Sequence, residues 1–246
     1  MRILALDTAT NACTVAVTEG EAVLAELTLQ VPRAHSTRLM PLVEQAVRES
    51  GVEKSSLDLI AAGVGPGSFT GLRIGLATAK AIAYALGKPC VGVPTLKAMA
   101  YGTCASIGIV VPVLDAKRDE VYAGIYVAGT RDPHHWGEVL PPAHMPIEHL
   151  EEQIHFLRNA LRQKWQFVTF CGDVAEKCIT RMPDLAEVSR LAPTGALMPR
   201  GWAVAALGRA LFEAGAPTDP DLLAPIYLRK SEAETLWESR KSPSSP

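Results

Sequence analysis

The chain has 246 residues, with 24 Lys+Arg against 26 Asp+Glu for a formal net charge of −2, and 48% of it is hydrophobic. That length allows one large domain or two small ones with a real core, and that hydrophobic share excludes disorder for the bulk of the chain. Without a basic excess there is no broad phosphate-binding footprint, so the chain is not expected to hold nucleic acid by charge alone.

Cys13, Cys90, Cys104, Cys171 and Cys178 include no CxxC pair and read as reduced core thiols. The first apolar run ends at Asp7, short of a secretory signal, and later ones such as residues 107–114 fall well below a membrane span. A cytoplasmic protein with no membrane contact is the expectation.

In chain order, residues 3–6 are an apolar run closed by Asp7, residues 14–17 alternate small and β-branched side chains, and residues 22–29 precede Pro32. These read as three strands. The period then changes: Leu39, Leu42, Val43, Ala46 and Val47 recur at helical spacing after Ser36, an N-cap candidate, up to the stop at Ser50-Gly51. Pro41 near the first turn leaves the helix start open by several residues. A buried strand over residues 59–64 leads into Gly65-Pro66-Gly67-Ser68-Phe69-Thr70-Gly71, and an Ala-rich helix runs to about Leu86. Strand, helix, strand, glycine loop and helix form an α/β signature.

A second strand-turn-strand at residues 110–127 lies on the first at an offset of 108. Asp7 meets Asp115, Thr8 meets Ala116, Cys13 meets Val121, Val15 meets Ala123 and Val17 meets Ile125. The pairing suggests a duplicated architecture, with chance similarity between two hairpins as the alternative. Residues 131–146, rich in His and Pro, read as a loop. Residues 147–161 read as a helix, 167–171 as a strand and 202–214 as a helix, while 231–246 lose apolar periodicity and read as a disordered tail.

The glycine loop is the strongest local motif, because such loops present backbone N–H groups to anions. It lacks the Lys of a Walker A loop, and a dinucleotide fingerprint would need Gly where Ser68 and Thr70 stand. Two readings follow: a vestigial phosphate cradle of Asp7, Thr8, Gly65, Gly67, Ser68 and Arg73, or, preferred, a tight turn whose glycines let the helix pack on the sheet. Behind the loop, Gly71, Gly75, Ala79 and Ala83 form a smooth stripe. It serves either the chain's own sheet or, with the first helix, a surface for another subunit involving Ser36, Leu39, Leu42, Val43, Leu72 and Leu76. Asp7 and Asp115 sit where strands give way to turns, as a catalytic carboxylate or a simple turn residue would. His134, His135, His144, His149 and His155 fit no zinc template. No catalytic residue and no metal site is assigned.

The segments ILALDTATNACTVAV, HSTRLMPLVEQAV, GVGPGSFTGLRIGLATAKAIA, VLDAKRDEVYAGIY and PIYLR resemble the TsaB (YeaZ) family from Met1 to about Arg229. The resemblance implies the duplicated ASKHA fold of actin, Hsp70 and sugar kinases. It divides the chain into an N-terminal half at 1–106 and a C-terminal half at 107–230, whose last helix can pack back on the first half, with a tail at 231–246.

It further implies a non-catalytic subunit of the tRNA N6-threonylcarbamoyladenosine system. There the transferase TsaD is paralogue and partner, TsaE docks on the pair, ATP and metal belong to the partners, and tRNA is met only through the complex. Family members use their first two helices to meet TsaD and, alone, to form homodimers. TsaD carries an HxxxH metal motif after its glycine loop and helix; here the comparable residues 94–100, PTLKAMA, hold no His. The alternatives are an active ASKHA-type ATPase or phosphotransferase working through Asp7 and the glycine loop, and a protease, for which no triad or zinc motif is present.

Overall fold

The computed structural model describes residues 1–30, 35–104, 108–128, 132–133, 136–160 and 167–229. The expected tail and the pair His134 and His135 lie outside the described residues.

The first sheet is built from β1 (Arg2–Asp7), β2 (Ala12–Glu19), β3 (Ala22–Gln30), β4 (Leu59–Gly63) and β5 (Cys90–Val93), in the order β3-β2-β1-β4-β5. The second holds β6 (Gly108–Lys117), β7 (Glu120–Ala128), β8 (Gly137–Pro146), β9 (Val168–Cys171) and β10 (Ser189–Leu191), in the order β10-β9-β6-β7-β8. Reversed, the second order repeats the first strand for strand. In each, two hairpin connections give an antiparallel meander, and the last two strands add in parallel.

The repeat is therefore real, with one amendment. Asp7 and Asp115 both accept from the backbone N–H two residues on, Ala9 at 2.7 Å and Lys117 at 2.9 Å. Across the hairpins Asp7 faces Thr14, but Asp115 faces Val121, not the Tyr122 that a uniform offset requires. The second turn is one residue tighter. Lys117, Arg118 and Asp119 absorb the tightening in left-handed backbone, with φ of 69°, 57° and 61°.

Six helices complete the molecule among the described residues: α1 (His35–Ser50), α2 (Phe69–Leu86), α3 (Thr95–Gly102), α4 (Ile147–Ala160), α5 (Ala175–Arg181) and α6 (Gly201–Glu213). Strand alternation sorts them into layers. Leu4, Leu6, Ile60 and Ala62 face outward from the first sheet onto Leu39, Leu42, Val43 and Ala46 of α1 and Leu76, Ala79 and Ala83 of α2. Ile3, Ala5, Leu59 and Ala61 face inward onto α3 and α6, which are shared with Val110, Leu114 and Tyr126 of the second sheet. Ile109, Val111 and Val113 face α4 and α5 on the far side. The layers run α1/α2, sheet, α3/α6, sheet, α4/α5.

Three readings change. The helix expected from Ser36 already includes His35, whose buried ring hydrogen-bonds the Thr10 backbone, and Ser36 sits exposed inside the helix instead of capping it. The stretch expected as a loop over 131–146 contains β8, an edge strand on β7. An edge needs ladder bonds on one side only, and the register shift between Ala123 and Ile125 of β7 lies opposite Pro141 and Pro142 and accommodates them. Cys104 is exposed, whereas the other four thiols are buried and free.

Gly75 shows how tightly α2 lies on the sheet. A Cβ there would stand 2.3 Å from Thr8 Oγ1, whose hydroxyl donates to Gly71 O at 2.7 Å. Gly75→Ala is expected to destabilise the chain by ~1–3 kcal/mol through overpacking, read as a lower urea midpoint at unchanged m.

Candidate functional site

The turn after β1 and the glycine loop before α2 lock together. Ser68 N donates to Ala9 O at 2.7 Å, Gly65 N donates to Thr95 Oγ1 at 3.1 Å, and Gly71 N donates to Ser68 Oγ at 3.2 Å as the N-cap of α2. Gly67 lies against the same turn, where a Cβ would be 2.1 Å from Ala9 O. Three amides that a phosphate cradle would offer are thus engaged inside the chain, and the glycines serve close packing.

Beneath the loop, Asp7 is 0% exposed. Its Oδ1 accepts from Ala9 N, and its Oδ2 accepts from Thr95 Oγ1 at 2.8 Å. Gly63 is glycine because a Cβ would stand 1.9 Å from Asp7 Oδ2. Burial pushes the Asp7 carboxyl up to about 6, against the pull of both hydrogen bonds. Thr8 is likewise buried, and Gly65 is closed off under Leu72 and the Ile226 backbone.

Of the six cradle candidates, only Gly67, Ser68 and Arg73 reach the cleft between the halves, a space of about 810 Å³. Across it stand Asp115, Lys117 and Asp173. Burial raises the Asp115 carboxyl, yet the Lys117 ammonium at 2.5 Å and the Lys117 N–H hold it below the usual range.

The PIYLR segment supplies a contact that spacing could not reveal. Ile226 N donates to Val64 O at 2.7 Å in the first half, and Arg229 Nη1 donates to Ala116 O at 2.6 Å in the second. Between them Tyr227 stacks on Phe69 at 4.9 Å between centroids and accepts from Arg73 Nε at 3.2 Å, while the Arg73 guanidinium lies 4.0 Å over the Phe69 ring. This strap holds both halves along the cleft wall and occupies the one cradle cation.

The partner surface expected on α1 and α2 must be redrawn. Leu39, Leu42, Val43, Leu72, Leu76 and Ala79 are at most 6% exposed, and Gly71 and Gly75 press on Thr8, so these residues pack on the chain's own sheet and cannot face a partner. Helical periodicity marks an apolar face without saying what covers it. The outer face consists of Ser36, Met40, Glu44 and Arg48 on α1 with Ala77, Ala81, Tyr84 and Ala85 on α2, all exposed. Met40 and Tyr84 are 44% and 55% exposed, large apolar groups on a smooth Ala77/Ala81/Ala85 ridge.

A family model for TsaD, tRNA N6-adenosine threonylcarbamoyltransferase, matches residues 29–237. The tRNA threonylcarbamoyladenosine biosynthesis protein TsaB of Escherichia coli is 32% identical over 240 residues, covering 95% of this chain and 96% of its own length. The chain belongs to the TsaB family. The TsaB protein of Bacillus subtilis is 31% identical over 245 residues, 98% of this chain and 100% of its own. YeaZ from Pseudomonas aeruginosa superposes with a TM-score of 0.76 at 28% identity, over 92% of this chain and 99% of that one. With the repeated strand order, the TsaB fold here is a duplicated α/β architecture of two mixed sheets flanked by helices. No helix among the described residues is long and apolar enough to cross a membrane.

Proposed function

We propose that this chain is the non-catalytic, activating subunit of a tRNA threonylcarbamoyl transfer complex, paired with TsaD, with TsaE docking on the pair and tRNA met through the complex. The observation that carries the reading is an end-to-end TsaB match on a chain whose α3, beside the glycine loop, holds no histidine. The paralogue's metal motif has no counterpart there, so ATP and the substrate-holding metal belong to the partner proteins. The outer face of α1 and α2 is the docking surface for TsaD, and for a second copy of the chain when it is alone. The ATPase or phosphotransferase alternative works through Asp7, and the buried, doubly bonded Asp7 does not line the cleft.

The test is threonylcarbamoyl transfer to tRNA in a purified mixture of the adenylate-forming enzyme, TsaD, TsaE, threonine, bicarbonate and ATP. Modification is expected to fall at least tenfold when this chain is omitted, while the chain alone hydrolyses no ATP. Equal modification without it overturns the reading, and micromolar ATP binding that disappears in Asp7→Ala favours the phosphotransferase.

A further inference from the structure

We propose that Glu151, His155 and Asp184 form a binding site for a borderline divalent cation, Zn²⁺ by their chemistry, that ties α4 to the segment between α5 and β10. Glu151 and His155 lie one helical turn apart on the same face of α4, with Oε1 and Nε2 separated by 4.0 Å. Asp184 comes from the 3-10 turn Pro183–Leu185, and one ligand atom from each of the three residues lies within 4.8 Å of the others. At Zn–N and Zn–O distances of about 2.0–2.2 Å, two ligands of one ion stand roughly 3.3–4 Å apart, so the Glu151–His155 spacing already suits a shared ion. The exposed Asp184 side chain closes the rest by rotation.

Both carriers are anchored. Ile147, Leu150 and Ile154 seat α4 on the second sheet, and Met182 and Leu185, on either side of Asp184, are fully buried in the same cluster. Such backing is what a ligand set needs to stay in place before the ion arrives.

Charge also favours a cation. The neighbouring Glu148 pairs with Arg181 at 2.8 Å, yet among the described residues no Lys or Arg pairs with Glu151 or Asp184. Among the described residues, two carboxylates and one imidazole come together, and neither carboxylate has a Lys or Arg partner. An imidazole with two carboxylates selects Zn²⁺ and its transition-metal neighbours over Mg²⁺ and Ca²⁺, which prefer oxygen alone, and a fourth position remains for water. Sequence spacing hides the set because Asp184 lies 29 residues beyond His155.

The experiment is calorimetric titration of zinc chloride into the full chain at pH 7.5, in a Cys104→Ser background that removes the exposed thiol. One Zn²⁺ per chain at low-micromolar Kd is expected, with a rise in Tm on addition. His155→Ala and Glu151→Gln, at half-buried positions, and Asp184→Asn, at an exposed one, should each weaken binding at least tenfold and remove the Tm rise. Undiminished binding in His155→Ala, or no binding in the Cys104→Ser parent, overturns the proposal.

Discussion

Ala81→Arg is expected to abolish co-elution with TsaD, weakening association at least 100-fold, while leaving the Tm of the isolated chain within a degree or two. Ala81 is exposed mid-helix on the outer ridge of α2, and Arg is nearly as good a helix former as Ala, at a cost of ~0.2 kcal/mol. Nothing in the monomer resists the change. In a helix-to-helix interface the long charged side chain must either hold the partner off or be buried unpaired, at several kcal/mol. Gly75→Arg is the control. Its Cβ would stand 2.3 Å from Thr8 Oγ1, so it should lose association and fold together. Normal co-elution of Ala81→Arg, measured beside Met40→Arg on α1, removes this face from the reading.

The contrast between those variants shows where sequence periodicity stops. Leu39, Leu42, Val43 and Leu76 announce an apolar face, and the chain uses that face for itself. The surface left to a partner carries small residues and single large ones, a pattern indistinguishable from ordinary solvent-facing helix. The first half was legible because its strands alternate and its long helices have one buried side.

What stayed invisible has physical reasons. In α3 every residue but Lys97 is buried, because it lies between two sheets, so it has no polar stripe to mark a period. The strands β5 and β10 have four and three residues, too short for alternation to register. Prolines in β8 mimic a loop until an edge position is known. The offset of 108 found the duplication but not the tighter second turn, since a one-residue change leaves strand composition almost unaltered. The PIYLR strap has no periodicity, and its meaning comes from the two halves it bridges.

Asp7 supplies the second large effect, and its sign runs against that of most acidic residues. Its folded value of about 6 lies above the ordinary 3.8. The folded state therefore holds the proton more tightly, and stability from this group is fully present below about pH 4 and is lost as pH rises through 6. Two pK units correspond to ~3 kcal/mol, so at pH 7 ionised Asp7 burdens the fold by about that amount.

Asp7→Asn cannot ionise, and its Oδ1 still accepts from Ala9 N. Its Nδ2 meets Thr95 Oγ1, which then loses an acceptor, at ~1 kcal/mol. The net expectation is a gain of ~2 kcal/mol at pH 7.5 that shrinks steadily toward pH 4, read from urea midpoints of both proteins at four pH values. A difference independent of pH would mean that the carboxyl is not the titrating group. Because Asp7 lies under the loop and away from the outer face of α1 and α2, the same variant should still bind TsaD and support transfer. Loss of transfer in a protein this stable would instead assign the buried carboxylate a part in the chemistry and restore the phosphotransferase reading.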